Sequence, residues 1–140
     1  MSEVLSQRKL LLLASAKHPL AAKSEIHVSD LAGQTFVFPT RRYTEQPSIR
    51  DMLKSAGASI QDNLFLDSKK LIKNELKSSL CLTFIPISSS DPDIRDGSIV
   101  RLPWAESPLY MTLYAMYNAT CLRRSSVDAF VAFARSVMDD

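Results

Sequence analysis

The hydrophobic pattern along the chain divides it into alternating strand-like and helix-like stretches. Leu10 to Ala16 is apolar at every position but Ser15, the pattern of a strand covered on both faces. Lys17-His18-Pro19 ends it, since proline lacks a ladder donor and restricts the residue before it. Val28 to Gly33 reads as a helical turn or short loop, and Thr35 to Phe38 as a short strand closed by Pro39. Thr40 to Pro47 is polar and basic, a loop. Ile49, Met52, Leu53 and Ala56 then recur on one helical face, with Pro47 suited to the first turn and Gly57 to the C-terminal cap. Ile60 to Leu66 reads as a strand. Asp67 or Ser68 caps a second helix, with Leu71, Ile72 and Leu76 as its buried face and Lys69, Lys70, Lys73 and Lys77 as its wet side. Leu80 to Ile85 is a buried strand stopped by Pro86, and Ser88 to Asp96 is a turn-rich loop. Asp96-Gly97 turns into a short strand, Ser98 to Leu102. Leu109 to Tyr117 is a longer strand. Ser125 or Ser126 caps a final helix with an apolar stripe of Val127, Phe130, Val131, Ala134, Val137 and Met138. Strands alternating with helices predict an α/β layered fold.

Composition narrows the class. At 140 residues, 46% hydrophobic and 23% charged, the chain has the size and core of one globular domain. A net charge of +2, with basic residues scattered apart from the pairs Arg41-Arg42, Lys69-Lys70 and Arg123-Arg124, argues against a concentrated nucleic-acid-binding face. Cys81 and Cys121 are far apart, each in an apolar stretch, with no metal-ligand spacing. They read as small buried hydrophobes in a reducing compartment. The longest apolar run is too short to span a bilayer, and no secretion signal is legible at the start. A cytoplasmic protein is expected, with no membrane partner.

The motifs in this order resemble a known family. "LLLLAS" followed by "HPLA" (His18 to Ala21), "VSDLAGQTFVF", "SIRDMLKSAG", "LFLDSKKLIKNELKSSLCLTFIP", and "GSIVRLPW" followed by "LYMTLYAMYN" together resemble the effector-binding domain of LysR-type transcriptional regulators. Each motif is weak alone; their order carries the likeness. The resemblance covers residues 8–138 and implies a periplasmic-binding-protein-like (type 2) lobe, a mixed sheet flanked by helices. It divides the chain into a second subdomain at about 18–107, crossover strands at about 8–17 and 108–118, and a C-terminal helix at about 125–138. The family's DNA-binding domain and most of its first effector subdomain are expected to be absent, which makes the chain an excised piece of a longer regulator. One departure is local: where the family places a Gly-x-Gly pair before the buried strand, this chain has Ser79 and Cys81. Glycine permits positive φ, so the turn there is expected to differ or the loop to be looser.

The resemblance implies a small-molecule effector held between two lobes, by loops at strand ends beside helix N-termini, where anions are favoured. Two loops fit, Pro39-Thr40-Arg41-Arg42 and Asp67-Ser68. Thr40 is a candidate to bond an effector carboxylate and Arg41 or Arg42 to pair with it; the alternative is a pair of solvated surface arginines. Ser68 reads as a helix cap, compatible with a ligand role, while Asp67 disfavours an anion in the same place. His18 and His27 lack a nucleophile or carboxylate partner legible in the sequence, so neither reads as catalytic. Cys81 sits between Leu80 and Leu82 and reads as structural rather than redox-active. The Met111, Met116, Tyr110, Tyr114 and Tyr117 strand is read as packing, not a cofactor box.

These readings converge on a non-catalytic sensory module with no metal or cofactor. The expected partners are a small, anionic effector and a second copy of the chain, with exchange of crossover strands or of the last helix as a possible route to the dimer. DNA is expected to be contacted only through the absent N-terminal domain. The alternative is a solute-binding component of a transport system, which the lack of a secretion signal disfavours. An enzyme ranks last, for want of histidines, paired carboxylates and glycine-rich loops.

Overall fold

The computed structural model describes residues 2–57, 64–118, 120 and 124–138. The elements in order are β1 (Ser2–Ser15), 3-10 turns at Pro19–Ala22 and Val28–Leu31, β2 (Thr35–Phe38), α1 (Arg41–Glu45), α2 (Pro47–Ala56), β3 (Leu64–Phe65), α3 (Lys69–Ser78), β4 (Cys81–Ile85), α4 (Pro92–Arg95), β5 (Ile99–Arg101), β6 (Leu109–Met116) and α5 (Arg124–Met138). The chain forms two compact units, one of residues 1–9 and 110–140, the other Leu10–Leu109.

In the larger unit the strands lie in the order β3-β2-β4-β1-β5. β2 runs parallel to β3 and to β4, while β1 is antiparallel to β4 and β5. The sheet is therefore mixed, as expected. Leu12, Leu13, Phe36, Val37, Phe38, Leu82 and Phe84 are essentially inaccessible, which explains why β1, β2 and β4 read as continuous apolar runs: both faces of the sheet are covered. Phe36 stacks on Phe38 and on Phe84, and Trp104 meets Phe84 edge-on at 5.3 Å. Inside this layer Thr83 is fully buried, and its hydroxyl donates to the Val37 carbonyl at 2.5 Å.

α2 is bounded as its sequence predicts. Pro47 opens it, Gly57 closes it in the left-handed conformation at φ 70°, and Ile49, Met52, Leu53 and Ala56 are its buried face. Ser68 caps α3, whose inner face is Ile72 and Leu76; Leu71, expected to be buried, is 46% exposed. Lys73, expected on the wet side, is drawn in by Asp91 and Asp93, at 3.2 and 2.9 Å. Three loops or caps differ from expectation. Residues 41–45 of the expected loop form α1, and residues 92–95 of the expected loop after β4 form α4, capped by Asp91. Helix α5 begins at Arg124, so Ser125 and Ser126 lie inside it rather than capping it. Of the strand expected from Ile60 to Leu66, β3 is Leu64–Phe65; Ile60 to Asn63 lie outside the described residues, as does Cys121.

The smaller unit pairs the first part of β1 with β6 and lays α5 alongside. β1 starts at Ser2, well before the expected Leu10, because β6 supplies a partner for its polar half. Arg135 ties α5 to β1, donating from Nε to the Val4 carbonyl at 2.9 Å and pairing with Glu3 at 3.6 Å. Tyr117 donates to the same Glu3 at 2.9 Å. Val131 is buried against the strands, yet Phe130, Phe133 and Val137 stay 54–66% exposed. Leu5, Tyr114, Met116, Tyr117, Val127 and Phe130 line a groove of about 570 Å³.

Candidate functional site

From β2 the chain crosses to β3 on one side, then returns through α3 to β4 on the other. Consecutive connections thus diverge at the carboxyl ends of β2 and β4, where open α/β sheets bind ligands. The loops that leave β2 and β3 carry the residues singled out from sequence.

Thr40 sits directly after Pro39 as the cap of α1, its hydroxyl accepting from the Arg42 amide at 2.9 Å. Tyr43, on the inner side of this short helix, is buried and stacks on Phe38 at 5.9 Å, and burial raises its phenol pKa. That anchor turns Arg41 and Arg42 outward, where both are exposed. The Arg41 guanidinium lies 5.1 Å over the Phe65 ring, a cation–π contact. The Leu66 amide donates to the Phe38 carbonyl at 2.9 Å, so the two loops are stitched together by backbone as well as by Arg41.

Ser68 follows two residues later, and its hydroxyl accepts from the Leu71 amide at 3.4 Å. The Lys69 and Lys70 amides precede the first helical bond and are open to an acceptor. Asp67 is exposed beside them. Among the described residues, no carboxylate pairs with Arg41, Arg42, Lys69 or Lys70. Thr40, Arg41 and Ser68 are therefore brought to one sheet edge. Asp67 shares that edge and brings opposite charge; Arg42 points to solvent beside them.

A further part of this edge escaped sequence reasoning. Ser88 to Ser90 follow β4, with the Ser88 and Ser90 hydroxyls 2.7 Å apart and the Ser90 amide donating to Ser88. Asp91 accepts from the Asp93 amide at 3.0 Å and opens α4, ahead of Pro92. Lys73 holds Asp91 and Asp93, and Lys77 adds a contact to Asp93 at 3.1 Å. The hydrogen bonds of Lys73 and then Lys77 lower the Asp93 pKa; those of Asp93 and Asp91 raise that of Lys73. The legible signal was Asp-Pro, a cap followed by a first-turn proline. Phe65, the platform under Arg41, had no sequence signal beyond its apolarity.

The remaining candidates settle into structural roles. His18 is buried, and its Nδ1 accepts from the Leu20 amide at 3.1 Å; burial lowers its pKa, with the Gln34 side chain opposing. His27 is exposed, with Glu25 at 3.2 Å from Nε2 and Glu106 at 3.3 Å from Nδ1. Those contacts, Glu25 foremost, raise its pKa. It therefore has carboxylate partners, which the sequence did not reveal. Cys81 is buried and its thiol pKa is raised by that burial, the inert setting expected of it. Ser79, in the place of a family glycine, is extended at φ −139° and needs no positive φ; its hydroxyl donates to the Glu75 carbonyl at 2.9 Å. The turn is tied down rather than loosened. No group of three metal-ligating side chains occurs among the described residues, and no helix among them is long and apolar enough to cross a membrane.

The fold is that of LysR regulatory domains. The regulatory domain of MetR, a LysR family regulator from N. meningitidis, superposes with a TM-score of 0.77 at 19% identity, covering 97% of this chain and 62% of that one. The oxidized form of OxyR gives 0.77 at 20% identity, covering 99% and 66%. The Synechocystis CcmR regulatory domain in complex with 2-PG gives 0.75 at 17% identity, covering 100% and 67%. The chain thus spans about two thirds of the length of these domains. No curated protein matches it. The LysR substrate binding domain matches residues 2–139, and the chain belongs to that family.

Proposed function

We propose that the chain is the effector-sensing part of a LysR-type transcriptional regulator, binding a small anionic molecule between two lobes. Residues 18–107 are the second subdomain, residues 8–17 and 108–118 the crossover strands, and residues 125–138 the terminal helix. Thr40, Arg41, Arg42 and Ser68 face the effector, with Asp67 at the margin, where its charge selects against a second anionic group. The module is non-catalytic and works in the cytoplasm as a homodimer. DNA is reached only through an N-terminal domain outside this sequence. An effector acts by binding one arrangement of the lobes better than the other.

The observation that carries this reading is the convergence of Arg41, Thr40 and the start of α3 at the carboxyl ends of parallel strands. Cationic side chains and unspent amides there face solvent without a carboxylate partner among the described residues. The relative in complex with 2-PG supports a small-molecule ligand for the fold.

The test is a residue-resolved NMR titration with acetate and with inorganic phosphate. Shifts should cluster at Thr40, Arg41, Arg42 and Ser68 to Lys70, and Arg41→Ala should weaken them. Binding should be far weaker than in a complete effector domain, because each tenfold in affinity corresponds to about 1.4 kcal/mol and a single hydrogen bond contributes about 1 kcal/mol. Shifts that gather elsewhere, or that survive Arg41→Ala and Arg42→Ala together, would sink the assignment.

A further inference from the structure

The chain has two histidines, and they stand at the two ends of residues 18–27, the strap that carries the backbone from β1 to the Val28–Leu31 turn. Their surroundings favour opposite protonation states. His18 is 4% exposed, and its Nδ1 accepts from the Leu20 amide at 3.1 Å, capping the Pro19–Ala22 turn. Its own amide donates to the Ser15 carbonyl at the end of β1, at 3.0 Å. An accepting Nδ1 requires the neutral ring, with its proton on Nε2. A second proton would set an N–H against the Leu20 N–H and place a charge in a buried position. Lys17, next in the chain, is exposed. Burial lowers the His18 pKa, with the Gln34 side chain opposing.

At the other end the His27 ring lies between two carboxylates, with Glu25 Oε2 3.2 Å from Nε2 and Glu106 Oε1 3.3 Å from Nδ1. A neutral ring can donate to only one of them, whereas the imidazolium donates to both. Glu106 Oε1 also accepts from the Val28 amide at 3.3 Å. The backbone beside them is clipped: the Ile26 amide donates to the Pro103 carbonyl at 2.8 Å, and the Ala105 amide to the Ile26 carbonyl at 2.9 Å. Asp30 accepts from the His27 amide at 2.8 Å and pairs with Lys23. Glu25 and then Glu106 raise the His27 pKa. Neither end of the strap uses a residue of the candidate effector site.

We propose that residues 18–27 form a proton-operated strap, fastened at both ends only where His18 is neutral and His27 is charged. Acid unfastens the end at β1, and alkali unfastens the end at residues 103–106. The signs follow from linkage. With its folded pKa lowered, His18 contributes stability that is complete above about 6.5 and is lost as pH falls to the folded value. With its folded pKa raised, His27 contributes stability that is complete below about 6.5 and is lost as pH rises through the folded value. The two losses run in opposite directions, so the strap is tightest in a band around the ordinary histidine value.

The test is amide exchange followed by NMR from about pH 5 to 8, with each rate divided by its intrinsic rate to remove base catalysis. Protection at Leu20 should fall on the acid side and protection at Ala105 on the alkaline side. Each loss should reach up to about tenfold per pH unit, one proton being linked to each end. Phe36 to Phe38 should stay protected throughout. His18→Asn keeps a cap acceptor but cannot titrate; it should abolish the acid loss at Leu20 and leave Ala105 as it was. His27→Gln should do the converse. The wild-type ring protons give a second readout that needs no variant: His18 should titrate below the ordinary histidine value and His27 above it. Rings that titrate together, protection that is flat with pH at either end, or opposed losses that persist in both variants would overturn the strap.

Discussion

Replacing Thr83 by valine tests how β2 is held in the register that delivers Thr40 to the sheet edge. Thr83 is fully buried in β4, and its hydroxyl donates to the Val37 carbonyl. The β2–β4 ladder pairs Thr35 with Cys81 and Phe36 with Leu82, and the hydroxyl continues the link one step further. Valine has the same shape without the donor. The lost bond and the stranded carbonyl together cost about 1–3 kcal/mol, and the buried methyl offsets up to ~0.8 kcal/mol of that. A net loss of about 1–2 kcal/mol follows. With a urea slope of roughly 1–3 kcal/mol/M for a small protein, the midpoint should fall by about 0.3–2 M. Trp104 is the sole tryptophan and packs on Phe84, so its fluorescence reports the larger unit directly. Amide exchange at Phe36 to Phe38 should quicken as well. A midpoint that stays put or rises, at unchanged slope, would show that the hydroxyl is dispensable and that shape alone holds β2.

Two further outcomes are expected. Gly57→Ala should lower stability by about 1 kcal/mol, because φ is 70° there and no atom lies within 4 Å of an added Cβ, which leaves backbone strain as the only cost; thermal melts that match the wild type would refute this. His27 should titrate above its usual range, and Glu106→Gln should lower its pKa in an NMR titration. Because its folded pKa is raised, the stabilisation from its carboxylate contacts is complete below about 6.5 and is lost as pH rises through the folded value; an unshifted titration in the variant would contradict the contact.

The sequence displayed its α/β order plainly, because the strands of a sheet covered on both faces are short apolar runs cut by proline, and because α2 and α3 carry a clear period and caps. It did not display α1. Five residues hold no helical period, and what makes them helical is the Thr40 cap together with the Tyr43 ring lying on Phe38, a contact between segments. β1 before Leu10 was hidden for a similar reason: its polar residues become a strand only beside β6, a hundred residues on. Leu71 reads as buried on hydrophobicity alone, yet Ile72 and Leu76 fill the inner face of α3 and leave it at the surface. At the candidate site, the individual residues were legible as loop and cap positions. Their convergence was not, since it depends on β2 pairing in parallel with β3. Nor was the aromatic platform under Arg41, or the lysine clamp that anchors the turn after β4.

The placement of β1 also bears on how the chain reaches its native state. This strand comes first in sequence, yet in the larger unit its partners are β4 and β5, roughly seventy to ninety residues later, and such distant pairings slow folding. At a synthesis rate of about 5–20 residues per second, Leu10 to Ala14 must wait several seconds for β5 to be made. During that interval an uncharged run of four leucines and an alanine lacks its native neighbours, the kind of segment that associates with other nascent chains. Lys9 and Lys17 flank the run, and their charge opposes such association. Neutralising both should therefore reduce soluble yield on expression while leaving the melting temperature of the purified protein nearly unchanged.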